Sequence, residues 1–530
     1  MRRFNVTGLC VPDKHYMADT SEKIKAIMQM VEQGDYFSIN QARQYGKTTT
    51  LSLLDTALSA LDYTVINISF ESTSDDMDQT EAGFCQGFLS KCEEILDYQG
   101  HPDANVFIDN SIITFELLRR FLTKICKGKK YVLMVDEVDK SSNNIIYLKF
   151  LGVLRDKYLR RSKGLDDTFH SVILAGVYNI KNLKIKMINA GTHLLKDGEQ
   201  RMLSPWNIAA DFIIDMSLNE KEISSMLGQY ENDHYTGMDI ENVAKEIRNY
   251  TNGYPYLVSR ICQKIDNELN RDWSAEGVQK AIKLMLGERT TLVDDIAKNL
   301  HNNVELNNLL YSIIAFGEQV RFTALDNTIE LGLTFGFLLK QGDWVVIGNK
   351  FFEMLLYNHY IEKKRETNNV SQKLFTSDVV KNNQFDMQRT IEKFALHYYE
   401  LYREKQKKFI EDECRMLFLT FLSPLINGGG FCHIESETRD KKRMDLVVDY
   451  GAEQFIIELK LWYGEASHEE ALDQLVGYLD SKNKDLGYLV TFDFRQTKNT
   501  GKPKGQWIQH QGKKIFDVMA GIAPIRKIKK

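Results

Sequence analysis

Between residues 36 and 176, short apolar runs of strand length alternate with stretches of helical periodicity, and this alternation leaves few folds open. YFSIN (36–40) reads as a strand, QARQYGKTTT (41–50) as a loop and LSLLDTALSAL (51–61) as an amphipathic helix. TVINISF (64–70) is a strand, FELLRRFLTKIC (115–126) a helix, and YVLMVDE (131–137) and SVILAGVY (171–178) are buried strands. Strands interleaved with helices imply a parallel sheet covered on both faces. The alternation ends near FIIDMSL (212–218).

At 530 residues the chain is too long for a single core, and about three or four domains are expected. The fold class expected is multidomain α/β. The parallel-sheet part occupies 1–218. Residues 219–292 are helical throughout, including KEISSMLGQY and PYLVSRICQKIDNEL, and would form a lid. Residues 293–365 give short helices and then LLKQGDWVVIG, a small hairpin beside a helix, which is the pattern of a winged helix. The polar stretch at 366–395 reads as a linker. The last domain, 396–530, begins with helices. It continues with strands in FCHIESET, RMDLVVDY and FIIELKLW, a helix in EEALDQLVGYLD and a strand in GYLVTFDF.

Gly46, Lys47 and Thr48 lie between a strand and a helix, the setting that a phosphate-binding loop requires. Backbone N–H groups at a helix N-terminus bind phosphate oxygens. Lys47 would reach the β- and γ-phosphates of ATP, and the Thr48 hydroxyl would ligate magnesium, with Thr49 next in the same loop. The full G-x-x-x-x-G-K-[ST] pattern wants glycine at position 41, where this chain has Gln41. YVLMVDE supplies the second element: Asp136 would hold the magnesium shell and Glu137 would polarise the attacking water. Arg43 is placed to touch phosphate or a neighbouring subunit. The GYP turn at Gly253–Pro255, between two helices, resembles the Gly-x-Pro turn that contacts the base in several signalling ATPases, which would make Pro255 a base contact; the alternative is a helix-start turn with proline near its first position. Arg160 and Arg161 are candidate fingers in a ring of subunits, or else a solvated helix end.

A second constellation sits near the C-terminus. Strand side chains repeat every two residues, so Glu458 and Lys460 share a face, and the hairpin through GAEQ can bring Asp445 beside them. Two carboxylates hold a hard cation such as Mg2+ through oxygen. The metal and an ammonium then activate water and neutralise a developing phosphate charge. Glu437, on the strand before Asp445, is a further metal-ligand candidate, with Glu435 and Glu413 as alternatives. Gln474, on the following helix, is placed to orient water or phosphate.

A net charge of -5 excludes a uniformly basic nucleic-acid coat, so any such surface is local. The tail after Asn499 is the candidate, with Lys502, Lys504, Lys513, Lys514, Arg526, Lys527, Lys529 and Lys530. Within it Trp507 is placed to stack on a base. Seven scattered cysteines without a CxxC pair argue against zinc and disulfides and fit a reducing cytoplasm. No apolar run approaches membrane-spanning length, and the basic N-terminus is not followed by a signal-peptide core, so no membrane partner is expected.

FNVTGLCVPDKHYM, YFSINQARQYGKTTTLSLL, VLMVDEVDK, SVILAGVYNIKNLK and SPWNIAADF together resemble the AAA-like bacterial ATPases of the P-loop superfamily. In that family a QYGKTTT loop is the Walker A element even without its first glycine. The helical and winged-helix regions resemble those of archaeal-type and STAND ATPases. The C-terminal segment resembles the PD-(D/E)xK nuclease superfamily, whose motif falls here on Asp445, Glu458 and Lys460. The resemblance implies a P-loop ATPase core, a restriction-endonuclease-like C-terminal domain, ATP and Mg2+ as cofactors, DNA as the substrate class and self-assembly as an option. An ATP-regulated endonuclease is the reading that joins both motif sets. A switch ATPase, or a DNA-remodelling motor, whose nuclease-like domain only binds nucleic acid or a partner is the alternative.

Overall fold

The computed structural model describes residues 2–70, 77, 79–138, 145–177, 208–316, 318–368, 379–381, 384–401, 411–426, 430–433, 446–451, 453–493 and 503–521. The chain forms two compact units. One comprises Met1–Ser274 with Leu331–Gly336, the other Ala275–Glu330 with Phe337–Lys530.

The first unit is built on a four-stranded parallel sheet of β1 (Tyr36–Asn40), β2 (Thr64–Ser69), β3 (Tyr131–Asp136) and β4 (Ser171–Gly176), in the order β1-β4-β3-β2. Alternate residues of each strand enter two different cores. Phe37, Ile39, Val65, Val132, Met134, Ile173 and Ala175 face α1 (Ser21–Glu32) and α2 (Lys47–Ser59). Tyr36, Ile66, Ile68, Leu133, Val135, Val172 and Leu174 face α3 (Glu81–Tyr98), α4 (Phe115–Cys126) and α5 (Ile145–Arg161). The period of two therefore buries both faces, which is why β3 and β4, buried along their whole length, read as near-continuous apolar runs. On its other side β1 carries a parallel bridge from Phe37 to Ala210, with the Ala210 N–H donating to the Tyr36 carbonyl at 2.8 Å. After β4 the chain thus resumes on the far side of β1. A reversal of that kind opens a crevice at the carboxyl end of the strand, where ligands of open α/β sheets bind. The unit continues in α6 (Glu220–His234), α7 (Ile240–Thr251) and α8 (Pro255–Glu268). A full capping box, Asn219 with Glu222, starts α6.

The second unit opens with α9 (Ala275–Leu286), α10 (Thr291–Asn302) and α11 (Val304–Tyr311). A small antiparallel sheet follows: β5 (Val320–Arg321), β6 (Leu338–Gln341) and β7 (Trp344–Ile347), in the order β5-β7-β6. The hairpin read from LLKQGDWVVIG is β6–β7, flanked in sequence by α12 (Asn327–Thr334), whose residues from Leu331 on are grouped with the first unit, and by α13 (Lys350–Asn368). A two-residue ladder pairs β8 (Val380–Lys381) with β9 (Gln384–Phe385). Then come α14 (Met387–Leu401), α15 (Glu411–Ile426) and a six-stranded mixed sheet, with α16 (Glu465–Ser481) between two of its strands. The strands are β10 (Gly430–His433), β11 (Leu446–Tyr450), β12 (Glu453–Leu461), β13 (Leu486–Asp493), β14 (Gln506–His510) and β15 (Lys513–Gly521), in the order β10-β11-β12-β13-β15-β14. β12, β13 and β15 are mutually parallel, and the other pairs are antiparallel. Against one face packs α16, through Ala471, Leu472, Leu475 and Leu479 on Val447, Ile456, Leu489 and Ile515.

The tail expected as a charged surface is, over 506–521, the β14–β15 hairpin, and β15 is an interior strand. Ile515, Phe516, Val518 and Ala520 are all buried there. Its lysines cover that core: Lys513 pairs with Asp480 and Asp485, and the Lys514 ammonium lies 4.6 Å from the Trp507 ring centroid. Lys502 and the basic residues from Arg526 onward lie outside the described residues. No described helix is long and apolar enough to cross a membrane.

Candidate functional site

The loop at 41–46 leaves the carboxyl end of β1 and enters α2 at Lys47. Its start is tied to the neighbouring strand, because the Gln41 N–H donates to the Gly176 carbonyl at 3.1 Å. Gly46 caps α2 at φ 82° with no side-chain cap. That left-handed conformation suits glycine, and a Cβ there would meet no atom within 4 Å, so the need is conformational rather than steric. Gln44 also takes positive φ, at 58°. The Lys47 side chain is buried, and its ammonium curls back to the carbonyls of Gln41 and Ala42, both at 2.9 Å.

Thr48 and Asp136 meet. The Thr48 hydroxyl donates to the Asp136 carboxylate at 2.7 Å across 88 residues of sequence. This occurs at the carboxyl ends of β1 and β3, where the helix start and the last residue of the strand converge. The other Asp136 oxygen accepts the Glu137 backbone N–H at 2.9 Å. Glu137 is half-buried at φ 57°, so the chain turns sharply straight after the acidic pair. A hydroxyl and a carboxylate that share one oxygen-lined spot are a suitable donor set for Mg2+.

The remaining front residues are placed as follows. Thr49 accepts the Cys10 backbone N–H on its hydroxyl at 3.2 Å, so the N-terminal segment lies against the loop's exit. Arg43 is exposed, and its carbonyl accepts a hydrogen bond from the Tyr254 hydroxyl. Pro255 is the first residue of α8, with Tyr254 as its N-cap. The Tyr45 and Tyr254 rings meet edge to face with centroids 4.7 Å apart, and burial pushes the Tyr45 hydroxyl up to about 12. Arg161 is neither a finger nor a solvated end. Its guanidinium donates to the carbonyls of Gly34, Phe169 and His170, each at 2.6 Å, and lies over the rings of Tyr36 and Tyr158. Arg160 reaches Asp166 at 3.5 Å, beside the buried Lys157–Asp166 pair.

In the second unit, Glu458 lies two residues after Ile456 on β12, so both project to the face that α16 covers. Lys460 projects there too. Its ammonium lies 3.5 Å from Glu458 Oε1, and Glu458 is only 1% exposed. A carboxylate so deeply buried costs stability unless charge or hydrogen bonds compensate it. Gln474 is half-buried on α16. Asp445, Glu437 and Glu435 lie outside the described residues, as does the side chain of Glu413. Among the described residues, no three His, Cys, Asp or Glu side chains gather closely enough to hold a metal ion.

The sequence reading missed a neighbour on the same face. His468, on the second turn of α16, bridges two strands: Nε2 to Asp517 Oδ2 on β15 at 3.2 Å and Nδ1 to Thr491 Oγ1 on β13 at 3.3 Å. Thr491 is the register partner of Lys460. The Asp517 hydrogen bond and charge raise the His468 pKa above its ordinary value, outweighing burial. Trp507, expected as a stacking platform, has its ring against Phe516 and under Lys514, and its indole N–H donates to Gln388 at 3.1 Å.

No family model and no curated protein matches the chain. Solved structures superpose on part of it. A Walker-type ATPase of Pyrococcus abyssi is 11% identical, over 67% of this chain and 99% of that one, with a TM-score of 0.45. The ORC2 protein of Aeropyrum pernix, in ADPNP–ADP complexes, is 10% identical over 65% of this chain and 93% of its own, with a TM-score of 0.37. Its ADP form gives 12% identity, 68% and 82% coverage and a TM-score of 0.32.

Proposed function

We propose that the chain binds ATP with magnesium at the 41–46 loop and uses it to control a magnesium-dependent DNA endonuclease in its C-terminal part. The observation that carries the first half is the Thr48–Asp136 hydrogen bond, which brings two motifs far apart in sequence to the carboxyl ends of parallel strands. Lys47 binds the β- and γ-phosphates, the loop N–H groups cradle them, and Arg43 stands beside them. Thr48 and Asp136 hold the cation. Glu137 orients the attacking water, and Pro255 borders the base. Bound magnesium would neutralise the phosphate charge that builds as the terminal phosphoryl group leaves.

In the C-terminal part, Asp445 and Glu458 hold the cation, with Glu437 as a further ligand. Lys460 stabilises the charge that develops on the phosphodiester during hydrolysis. That division assigns 1–218 to a P-loop AAA-like core, 219–292 to a helical lid, 293–365 to a winged helix and 396–530 to a PD-(D/E)xK nuclease-like domain; the stretch 366–395, expected as a linker, instead carries the β8–β9 ladder and the start of α14, with Val379, Phe385, Ile391 and Phe394 buried. DNA is the substrate, and the ATPase part has the option of self-assembly.

Purified full-length chain is incubated with plasmid and linear DNA and magnesium, with and without ATP. Cutting that needs magnesium and changes with ATP supports the reading. If wild type cuts nothing with magnesium or manganese but hydrolyses ATP faster with DNA present, the C-terminal part binds rather than cuts.

A further inference from the structure

The 41–46 loop has an unusual problem of shape. It carries two left-handed residues, Gln44 and Gly46, and only glycine adopts that conformation without cost. Phosphate recognition needs its N–H groups fixed, so something must hold the middle of the loop. Lys47 holds the beginning, through the carbonyls of Gln41 and Ala42. A bound phosphate competes for that same ammonium, which weakens this hold when the site is in use.

The other hold comes from Tyr254. Its hydroxyl donates to the Arg43 carbonyl, and its ring supports Tyr45. Neither contact competes with phosphate. Tyr254 is itself firmly set, at 3% exposure. Its N–H donates to the Thr251 carbonyl and its carbonyl accepts from Val258, both at 3.0 Å. The preceding residue, Gly253, takes φ 71° and accepts the Leu218 N–H on its carbonyl at 2.8 Å. A Cβ at 253 would overlap the Leu218 carbonyl and the Arg248 guanidinium, so only glycine fits at this point of the turn. On the far side Gly336 borders the loop and the tyrosine: a Cβ added there would sit 3.3 Å from the Ala42 Cβ and 3.6 Å from the Tyr254 ring.

We propose that Tyr254 is a positioning residue of the nucleotide site: through the Arg43 carbonyl it holds the 41–46 loop in the shape that receives phosphate. The inference rests on the nucleotide reading of that loop and adds a residue from outside the motifs that suggested it. It makes the Gly253–Pro255 turn a clamp on the phosphates as well as a neighbour of the base.

The test uses full-length Tyr254→Phe, which removes one hydroxyl and keeps the ring. Affinity is measured with a fluorescent ATP analogue plus magnesium, and the urea midpoint is measured without nucleotide. The expected result is a Kd about five- to tenfold weaker, the range of one lost hydrogen bond. Wild type and Lys47→Ala run alongside. If wild type itself binds no ATP, the nucleotide reading fails and this inference falls with it. If wild type binds and Tyr254→Phe binds equally well, this inference alone is overturned, whether or not the urea midpoint falls. A lowered midpoint with unchanged Kd would assign the hydroxyl to stability only.

Discussion

The two candidate sites draw their members from the chain in opposite ways. At the front, Lys47 and Thr48 come from a helix start, Asp136 from the end of another strand, and Tyr254 from a third element more than a hundred residues on. Only the fold brings them together. In the C-terminal part, Glu458 and Lys460 sit two apart on one strand, so the pleat puts them on one face, where the ammonium lies 3.5 Å from the carboxylate. The front site therefore tests the topology, whereas the C-terminal pair would form on any strand that kept its period. A site assembled across elements is harder to produce by accident, which is why the Thr48–Asp136 contact supports more than the closer-spaced Glu458–Lys460 pair.

The largest effect expected separates the two readings of that pair. If Lys460 stabilises phosphodiester charge, Lys460→Ala lowers the cutting rate about 100- to 1,000-fold, the usual cost of removing one preorganised electrostatic group. A pair that serves only to satisfy a buried glutamate would instead lower the urea midpoint and leave any cutting in place. Plasmid nicking and urea unfolding on the same preparation distinguish them.

Next in size is the front site. Lys47→Ala removes a charged donor from the phosphates, and the ATP Kd is expected to rise about 10- to 100-fold. Isothermal titration with MgATP measures it. An unchanged Kd would mean that the lysine serves only the carbonyls of Gln41 and Ala42 and that the front site is no more assembled for phosphate than the C-terminal pair.

A third change probes the frame and not the chemistry. Gly253→Ala forces a side chain into positive φ and into the Leu218 carbonyl, and a cost of about 1–3 kcal/mol is expected from the backbone term alone. The urea midpoint of the first unit reads it. A silent substitution would show that the turn is loose and that Tyr254 cannot be firmly set.

Much of this was legible in the sequence, for reasons that differ along the chain. YFSIN and FELLRRFLTKIC coincide with β1 and α4 because each is bounded by polar or turn residues and has one clear period. The helix Glu81–Tyr98 is less legible: Phe84, Phe88, Cys92 and Leu96 follow a helical spacing, but Gly83 and Gly87 interrupt it. The β14–β15 hairpin is masked in the sequence by its lysines, which carry the charge signal over the apolar positions of KKIFDVMAG. Pro255 was noticed and Tyr254 was not, because a hydroxyl that bonds a carbonyl 211 residues away leaves no local pattern. His468 was missed for the same reason: its partners lie on strands far along the chain.

The smallest effect concerns that histidine, and it would separate the two regions by pH. His468 is faced by Asp517 from β15, Thr491 from β13, the Trp462 ring and Glu469 on its own helix. Asp517 favours the imidazolium, so the folded-state pKa lies above the unfolded one. The contribution to stability is then complete below the ordinary histidine pKa of about 6.5, and it is lost as pH rises through the raised folded value. A charged hydrogen bond this far out of bulk water contributes on the order of 1 kcal/mol. His468→Asn should therefore lower the urea midpoint of the C-terminal unit slightly at pH 6, with the difference from wild type closing towards pH 9. The Trp462 ring, with its centroid 5.5 Å from that of His468, gives a local reading. Protonated imidazole quenches indole fluorescence, so wild-type emission should rise with pH over this window, and Trp462→Phe should lose that rise. A difference that grows with pH would mean that the neutral imidazole is the form the fold prefers.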